Sequence, residues 1–128
     1  MTLKEQLKIL VVDDTSVSRM LVVDALQTIG IKNIGMAKDG AQALSMMMAG
    51  PSHLVISDFN MPNLDGIGLL KALREFKPTS RVGFILVTGK TDKTIIDRAK
   101  QFGLNNYLAK PFTVPALKTS IEAVVGKL

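Results

Sequence analysis

The chain has 128 residues, of which 47% are hydrophobic, and this is the usual length of one globular domain. It contains no Cys, which excludes disulfides and thiolate metal sites. No apolar run is long enough to span a bilayer and no secretory signal is evident, so we expect a soluble cytoplasmic protein. The formal net charge of +5 comes from scattered basic residues, which favours solvated helix faces over a nucleic-acid surface.

Val- and Ile-rich runs alternate with amphipathic stretches of helical length along the chain. The apolar runs predict five strands, at residues 8–13, 33–37, 54–58, 82–88 and 106–109. The amphipathic stretches predict five helices, at residues 15–29, 39–49, 66–76, 91–102 and 113–127. Asp39, Thr91 and Thr113 are candidate N-terminal caps of three of these helices.

Strict alternation of strand and helix predicts an α/β fold with a parallel sheet covered on both faces. We expect a doubly wound, five-stranded, flavodoxin-like sheet of order 2-1-3-4-5, with five helices. Residues 1–128 would form a single domain, and the chain after residue 108 suffices for only one helix. We therefore expect no separate output domain.

Polar residues interrupt the apolar strands at one end only. Asp13 and Asp14 end the first strand, Asp58 ends the third, Thr88 ends the fourth, and Lys110 follows the fifth. In a doubly wound sheet, ligands bind outside the carboxyl ends of the strands, near the switch between strands 1 and 3. We expect these five side chains to converge there.

Three adjacent carboxylates repel one another unless a cation joins them. Lys110 supplies one positive charge, and an all-oxygen site favours a hard ion such as Mg²⁺, which often completes its shell with phosphate oxygens. A carboxylate can attack phosphorus, so the pattern supports the hypothesis that Asp58 is phosphorylated. Taken singly, Asp14 is equally consistent with a helix cap, Lys110 with a surface cation and Tyr107 with a packed aromatic.

Four segments together carry a resemblance to a known family: "ILVVDDTSVSR", "ISDFNMPNLDG", "FILVTG" and "YLAKPF". In this order and spacing, from about Lys8 to the C-terminus, the chain resembles response-regulator receiver domains. It is most similar to the CheY-like, single-domain chemotaxis regulators of that family.

The resemblance implies a role for each matching residue. Asp58 would accept the phosphoryl group, and Mg²⁺ would be held by Asp13, Asp14, Asp58 and the backbone carbonyl of Asn60. Thr88 and Lys110 would contact the phosphoryl oxygens, Pro111 would match a cis-proline position, and Thr88 and Tyr107 would form the switch. The face of the fourth helix, fifth strand and fifth helix would then change shape and bind a partner.

The implied partners are a CheA-like sensor histidine kinase and the flagellar motor switch, with the protein acting as a monomer. The basic and aromatic residues expected on or near the output face are Lys90, Lys93, Lys100, Tyr107 and Lys118. Lys90 replaces an acid of the chemotaxis prototype, so we expect it to affect dephosphorylation.

The main alternative is a phosphate sink or relay receiver that binds no motor. An aspartyl phosphatase is disfavoured because Asn60 replaces its usual second acid, and DNA binding because no helix-turn-helix domain is appended.

Overall fold

The computed structural model describes residues 2–89 and 93–128. It contains one five-stranded sheet, in which every pair of neighbouring strands is parallel. The strands are β1 (Lys8–Val12), β2 (Asn33–Ala37), β3 (Leu54–Asp58), β4 (Gly83–Thr88) and β5 (Asn106–Ala109). Their order is β2-β1-β3-β4-β5, which confirms the predicted doubly wound topology.

Six α-helices connect or flank these strands in the described residues. They are α1 (Leu3–Gln6), α2 (Ser16–Ile29), α3 (Gly40–Ala49), α4 (Gly66–Glu75), α5 (Lys93–Gln101) and α6 (Val114–Val125). The five predicted helices correspond to α2 to α6. The single turn α1 and a 3₁₀ turn at Lys77–Thr79 were not predicted, because such short segments hold too few residues to show a helical period.

The central strand β3 explains why its sequence reads as a continuous apolar run. Val55 pairs with Leu10 on one side and with Phe84 on the other, and all three side chains are almost completely buried. Alternate residues of the sheet point to two hydrophobic cores, one on each face. Helices cover both faces, so a strand in this position has no solvated side and needs no polar alternation.

The helix N-termini fix the positions of several loops. The side chain of Asp39 accepts a hydrogen bond from Gln42 N at 2.8 Å, and Thr113 Oγ1 accepts one from Ala116 N at 3.2 Å, which confirms both predicted caps. Asp65 caps α4 in the same way through Gly68 N, at 2.8 Å. The third predicted cap, Thr91, lies outside the described residues.

Within the part of the chain that is described, no helix combines the length and hydropathy needed to cross a membrane.

Candidate functional site

Three carboxylates meet at the carboxyl edge of the sheet. Each of Asp13, Asp14 and Asp58 offers one oxygen, and these oxygens all lie within 4.8 Å of one another. Strands β1 and β3 are neighbours in register, with Val12 beside Ser57, so the residues that follow Val12 and Ser57 come together. The structure therefore brings together the three acids that the sequence placed at the strand ends.

The three acids differ in burial. Asp13 is only 2% exposed, Asp58 is partly buried, and Asp14 is exposed. The strand β1 ends at Val12, one residue earlier than predicted, so the acid pair belongs to the loop that leads into α2. Thr15 occupies the N-cap position of α2, and Asp14 does not, which removes the alternative of Asp14 as a helix cap.

Lys110 supplies the positive charge of the site. Its Nζ lies 3.4 Å from Asp13 Oδ2 and 3.4 Å from Asp58 Oδ1. The peptide bond between Lys110 and Pro111 is cis, as the resemblance implied. Lys110 is therefore an ion-pair partner of the acid cluster, and the alternative of an unrelated surface cation is wrong.

Thr88 is the last residue of β4 and is 6% exposed. Its carbonyl accepts a hydrogen bond from Lys110 N at 2.8 Å, and it pairs with Ala109 in the register of β4 and β5. The backbone thus connects the strand end that carries Thr88 directly to the residue that carries the ammonium. Asn60, two residues after Asp58, is exposed in the loop that leaves β3.

Hydrogen bonds keep Asp13 ionised despite its burial. Burial alone would raise the pKa of Asp13, but hydrogen bonds from Ser18 and from Thr15 N lower it, and the Lys110 charge adds to this effect. The net result is a pKa below the ordinary value. Asp13 is therefore a permanent negative charge near neutral pH, as a metal ligand must be.

Asp58 has the opposite balance. Burial raises its pKa, the Lys110 ammonium lowers it, and the negative charge of Asp13 raises it again, leaving the pKa above the ordinary value. Phe59 N donates to Asp58 Oδ1 at 2.9 Å and helps to orient the carboxylate. The ionised form of Asp58 is thus less stabilised than that of Asp13, and an added cation would stabilise it.

The donor set fits a hard divalent ion. All three clustered ligands are carboxylates, and Mg²⁺ prefers one or two carboxylates together with waters and phosphate oxygens. The chain contains no Cys, and its single His, His53, uses Nδ1 to accept a hydrogen bond from Lys8 N at the start of β1. Both facts favour oxygen ligation, and hence Mg²⁺ over softer metals.

Tyr107 lies on the edge strand β5 and is 38% exposed. Lys93 and Lys100 on α5 are exposed, and Lys118 on α6 is half-buried. Lys90, the remaining basic residue assigned to this face, lies outside the described residues. In the described residues, the elements α5, β5 and α6 therefore carry one exposed aromatic residue and three lysines that solvent can reach.

Ser18 was not predicted to belong to the site. Its hydroxyl donates to Asp13 Oδ2 at 2.5 Å and accepts from Lys110 Nζ at 2.9 Å. The backbone of Asp13 is also held, because Arg19 Nη1 donates to the Asp13 carbonyl at 2.8 Å. The only sequence signal is position, since both residues fall in the first turn of the helix that follows the acid pair.

The family model described as response regulator receiver domain matches residues 9–122, which is most of the chain. The chain belongs to the response-regulator receiver family. This is the family that the four sequence segments indicated.

Similar receiver proteins cover almost the full chain. A protein from Rhizobium etli named "Probable chemotaxis protein CheY" is 49% identical over 128 residues, covering 100% of this chain and 99% of that protein. "Chemotaxis protein CheY-3" from Vibrio cholerae is 36% identical over 126 residues, covering 98% of this chain and 97% of that protein. The chain is thus a response regulator of the CheY type.

Solved receiver structures share the fold. Vibrio cholerae CheY4 superimposes with a TM-score of 0.86 at 30% identity, covering 92% of this chain and 98% of that one. The receiver domain of the Pseudomonas aeruginosa sensor histidine kinase PA1611 gives a TM-score of 0.85 at 26% identity, covering 94% of this chain and 98% of that one. That structure is described as having a magnesium ion coordinated in its active site cleft.

Proposed function

We propose that this receiver is a chemotaxis regulator which accepts a phosphoryl group on Asp58 from a phosphohistidine of a sensor histidine kinase. The observation that carries the proposal is the position of Asp58, which is partly exposed, belongs to the cluster with Asp13 and Asp14, and lies 3.4 Å from the Lys110 ammonium. Residues 1–128 would act as one receiver domain, monomeric and cytoplasmic. The names of the relatives support the chemotaxis assignment.

In the transfer step, a carboxylate oxygen of Asp58 attacks phosphorus and forms a new O–P bond. The P–N bond to the donor imidazole breaks, and the imidazole nitrogen keeps the electron pair and takes up a proton. Asp58 must be ionised to attack. Lys110 favours that state, whereas burial and Asp13 oppose it. The balance raises the pKa of Asp58, so the charge of the nucleophile is stabilised less than that of an ordinary carboxylate.

Asp13, Asp14, Asp58 and the Asn60 carbonyl would hold Mg²⁺, which would offset negative charge on the transferring group when bound. Asp13 is suited to this role because hydrogen bonds from Ser18 and Thr15, together with the Lys110 ammonium, outweigh its burial and keep its pKa below the ordinary value. The magnesium ion described for the receiver domain of PA1611 supports the same choice of metal.

In this proposal, Lys110 and Thr88 would respond to the new phosphate. The phosphoryl group adds roughly −1.5 to −2 charge near neutral pH and presents three acceptor oxygens. The Lys110 ammonium and the Thr88 hydroxyl would move toward those oxygens. Lys110 N donates a hydrogen bond to the Thr88 carbonyl, so a movement of Thr88 would be transmitted to the end of β5. Tyr107, two strand positions earlier than Ala109, would turn inward and reshape the face of α5, β5 and α6.

Phosphorylation with acetyl phosphate and Mg²⁺ tests the acceptor. Intact-mass measurement should show one added phosphoryl group on the wild type and none on Asp58→Asn. Asp97→Asn is the matched control, because Asp97 is an exposed acid on α5, and it should be phosphorylated like the wild type. Labelling of Asp58→Asn at the wild-type level would remove Asp58 as the acceptor.

Partner binding tests the output. Phosphotransfer from candidate CheA-like kinases should be followed by a binding measurement against a flagellar motor-switch protein. We expect phosphorylation to strengthen binding, and Tyr107→Ala to weaken it while leaving phosphorylation unchanged. No gain of binding on phosphorylation would favour a phosphate sink or relay receiver over a motor regulator.

A further inference from the structure

Ser18 connects two charged groups of the site, the Asp13 carboxylate and the Lys110 ammonium. It lies in the first turn of α2, and its hydroxyl bonds both to Asp13 Oδ2 at 2.5 Å and to Lys110 Nζ at 2.9 Å. A serine hydroxyl has one proton to donate and two lone pairs. The proton is used on Asp13 and a lone pair on Lys110, so the hydroxyl forms a bridge between carboxylate and ammonium.

The distances show what this bridge does. A direct hydrogen bond between an ammonium and a carboxylate measures about 2.7–2.9 Å. Lys110 Nζ instead lies 3.4 Å from Asp13 Oδ2 and 3.4 Å from Asp58 Oδ1. The ammonium donates a shorter hydrogen bond, of 2.9 Å, to the neutral Ser18 oxygen. An ammonium has three N–H donors, and these three neighbours can occupy all of them.

We propose that Ser18 is a positioning residue that keeps the Lys110 ammonium at equal distance from Asp13 and Asp58 before phosphorylation. The inference rests on the proposed function, because it gives Ser18 a part in phosphoryl transfer to Asp58. Without the hydroxyl, Lys110 closes on Asp13, since Asp13 is the more buried carboxylate and attraction between charges is stronger away from water. The ammonium then moves away from Asp58 and from the oxygens of an incoming phosphoryl group.

The rate of phosphorylation by acetyl phosphate at saturating Mg²⁺ tests this role in the full-length protein. We expect Ser18→Ala to be slower by about tenfold, because the proposed shift of the ammonium is smaller than the 1 Å misplacement that can cost about a hundredfold. Ser18→Thr keeps the hydroxyl, and Ser18 lines a cavity of about 510 Å³ between α2 and the segment after β5, which gives the extra methyl room. Ser18→Thr should therefore restore most of the rate.

Ser16→Ala is the matched control, because Ser16 lies on the same helical turn and its side chain is exposed. It should leave the rate unchanged. A Ser18→Ala protein that is phosphorylated as fast as the wild type would overturn the inference.

A double-mutant cycle separates positioning from general damage. If Ser18 acts through Lys110, then Ser18→Ala should slow the wild type but add no further loss to Lys110→Ala. A loss of the same size in both backgrounds would show that Ser18 acts independently of Lys110, which contradicts the proposal.

Crystal structures of the unphosphorylated wild type and Ser18→Ala provide a readout that needs no phosphorylation. We expect the distance from Lys110 Nζ to Asp13 Oδ2 to shorten to about 2.8 Å, and the distance to Asp58 Oδ1 to lengthen. An unmoved ammonium would refute the positioning role by itself. Failure of the wild type to take up a phosphoryl group would instead refute the proposed function, so the two failures are distinguishable.

Discussion

Gly66 shows how closely the loop after β3 approaches the start of α4. A Cβ at this position would lie 2.6 Å from the Asp58 carbonyl oxygen and 2.8 Å from Leu86 Cδ1. Gly66 N also donates to the Phe59 carbonyl at 2.9 Å, which fixes the loop against the helix. The backbone of Asp58 can keep its position only because residue 66 has no side chain.

Gly66→Ala should therefore displace the backbone that carries the proposed acceptor. We expect the free energy of unfolding in urea to fall by about 1–3 kcal/mol, the usual cost of overpacking, and phosphorylation to slow. Gly50→Ala is the control, since its Cβ would meet nothing within 4 Å and its φ is −165°. Equal stability of the two variants would contradict the close approach at Gly66.

The raised pKa of Asp58 implies that its charge costs stability. Burial is the main cause, and the charge of Asp13 adds to it. A carboxyl with a higher pKa in the folded protein than in the unfolded chain holds its proton more tightly when folded. Its contribution to stability is therefore complete below the unfolded pKa of about 3.9, and is lost as pH rises through the folded value.

Asp58→Asn should consequently be more stable than the wild type at pH 7 without Mg²⁺. The difference between their free energies of unfolding, measured in urea, should shrink as pH falls toward 3, where the wild-type carboxyl is protonated. Asp97→Asn, at an exposed position on α5, serves as the control. A wild type more stable than Asp58→Asn at pH 7 would show that Lys110 outweighs the burial of Asp58.

Membership of the site could be predicted for polar residues that interrupt an apolar strand, because burial of a charge there needs a chemical explanation. Asp13, Asp58 and Lys110 stand at strand ends, and strand order alone brings them together. Ser18 has no such mark, because a serine early in a helix is ordinary. Its contacts with Asp13 and Lys110 depend on where α2 packs beside the sheet, which periodicity does not specify.

At the scale of elements, Arg74 joins the segments that precede β4 and β5, at the end of the sheet away from the acid cluster. From the last turn of α4 it donates to the carbonyls of Ser80 and Val82, at 3.2 and 2.7 Å, and to that of Gly103, at 3.0 Å. A fourth bond reaches Asn105 Oδ1 at 2.9 Å, and the same oxygen accepts from Phe84 N at 2.8 Å. These contacts hold the loop before β5 while the other end of β5 carries Lys110.

Arg74→Lys should destabilise the protein by about 2–3 kcal/mol in urea unfolding. A lysine ammonium has no planar fork and cannot reach the carbonyls and the amide oxygen together, and hydrogen bonds to charged groups contribute about 1.5–3 kcal/mol each. Arg81→Lys, at an exposed position, should change little. A loss as small as that of Arg81→Lys would mean that the Arg74 contacts are incidental.

Element types and order were predictable, but lengths were less so. Predicted helix 113–127 ends at Val125, and predicted helix 66–76 ends at Glu75 and is followed by the 3₁₀ turn. Helix ends depend on caps and on tertiary hydrogen bonds such as those of Arg74. The apolar period, which reflects only the buried face, does not record them.

For the whole molecule, the acid cluster concentrates three carboxylates at one edge of a protein with a net charge of +5. Mg²⁺ that binds the folded protein and not the unfolded chain raises the free energy of unfolding by mass action, by about 2.7 kcal/mol at one hundred times its Kd. Thermal unfolding followed by circular dichroism should therefore shift upward with millimolar Mg²⁺. A sodium chloride solution of matched ionic strength is the control, and an equal shift in both salts would argue against a specific site.

Whole-molecule topology was the most predictable level, because parallel sheets with right-handed crossovers allow few arrangements of five strand and helix pairs. The proposed conformational response to phosphorylation could not be predicted in the same way. It would depend on the free-energy difference between two packings of the same residues around Thr88 and Tyr107, and a pattern of apolar positions does not contain that difference.

The ion pair between Asp13 and Lys110 joins residues 97 positions apart. A growing polypeptide that has been synthesised only as far as β4 contains Asp13 and Asp58 but not Lys110, which pairs with both. The ion-paired cluster of Asp13, Asp58 and Lys110 can therefore form only after the residue that follows β5 has been synthesised. If Lys110 takes part in phosphoryl transfer as proposed, a chain that stops before this residue would lack that activity.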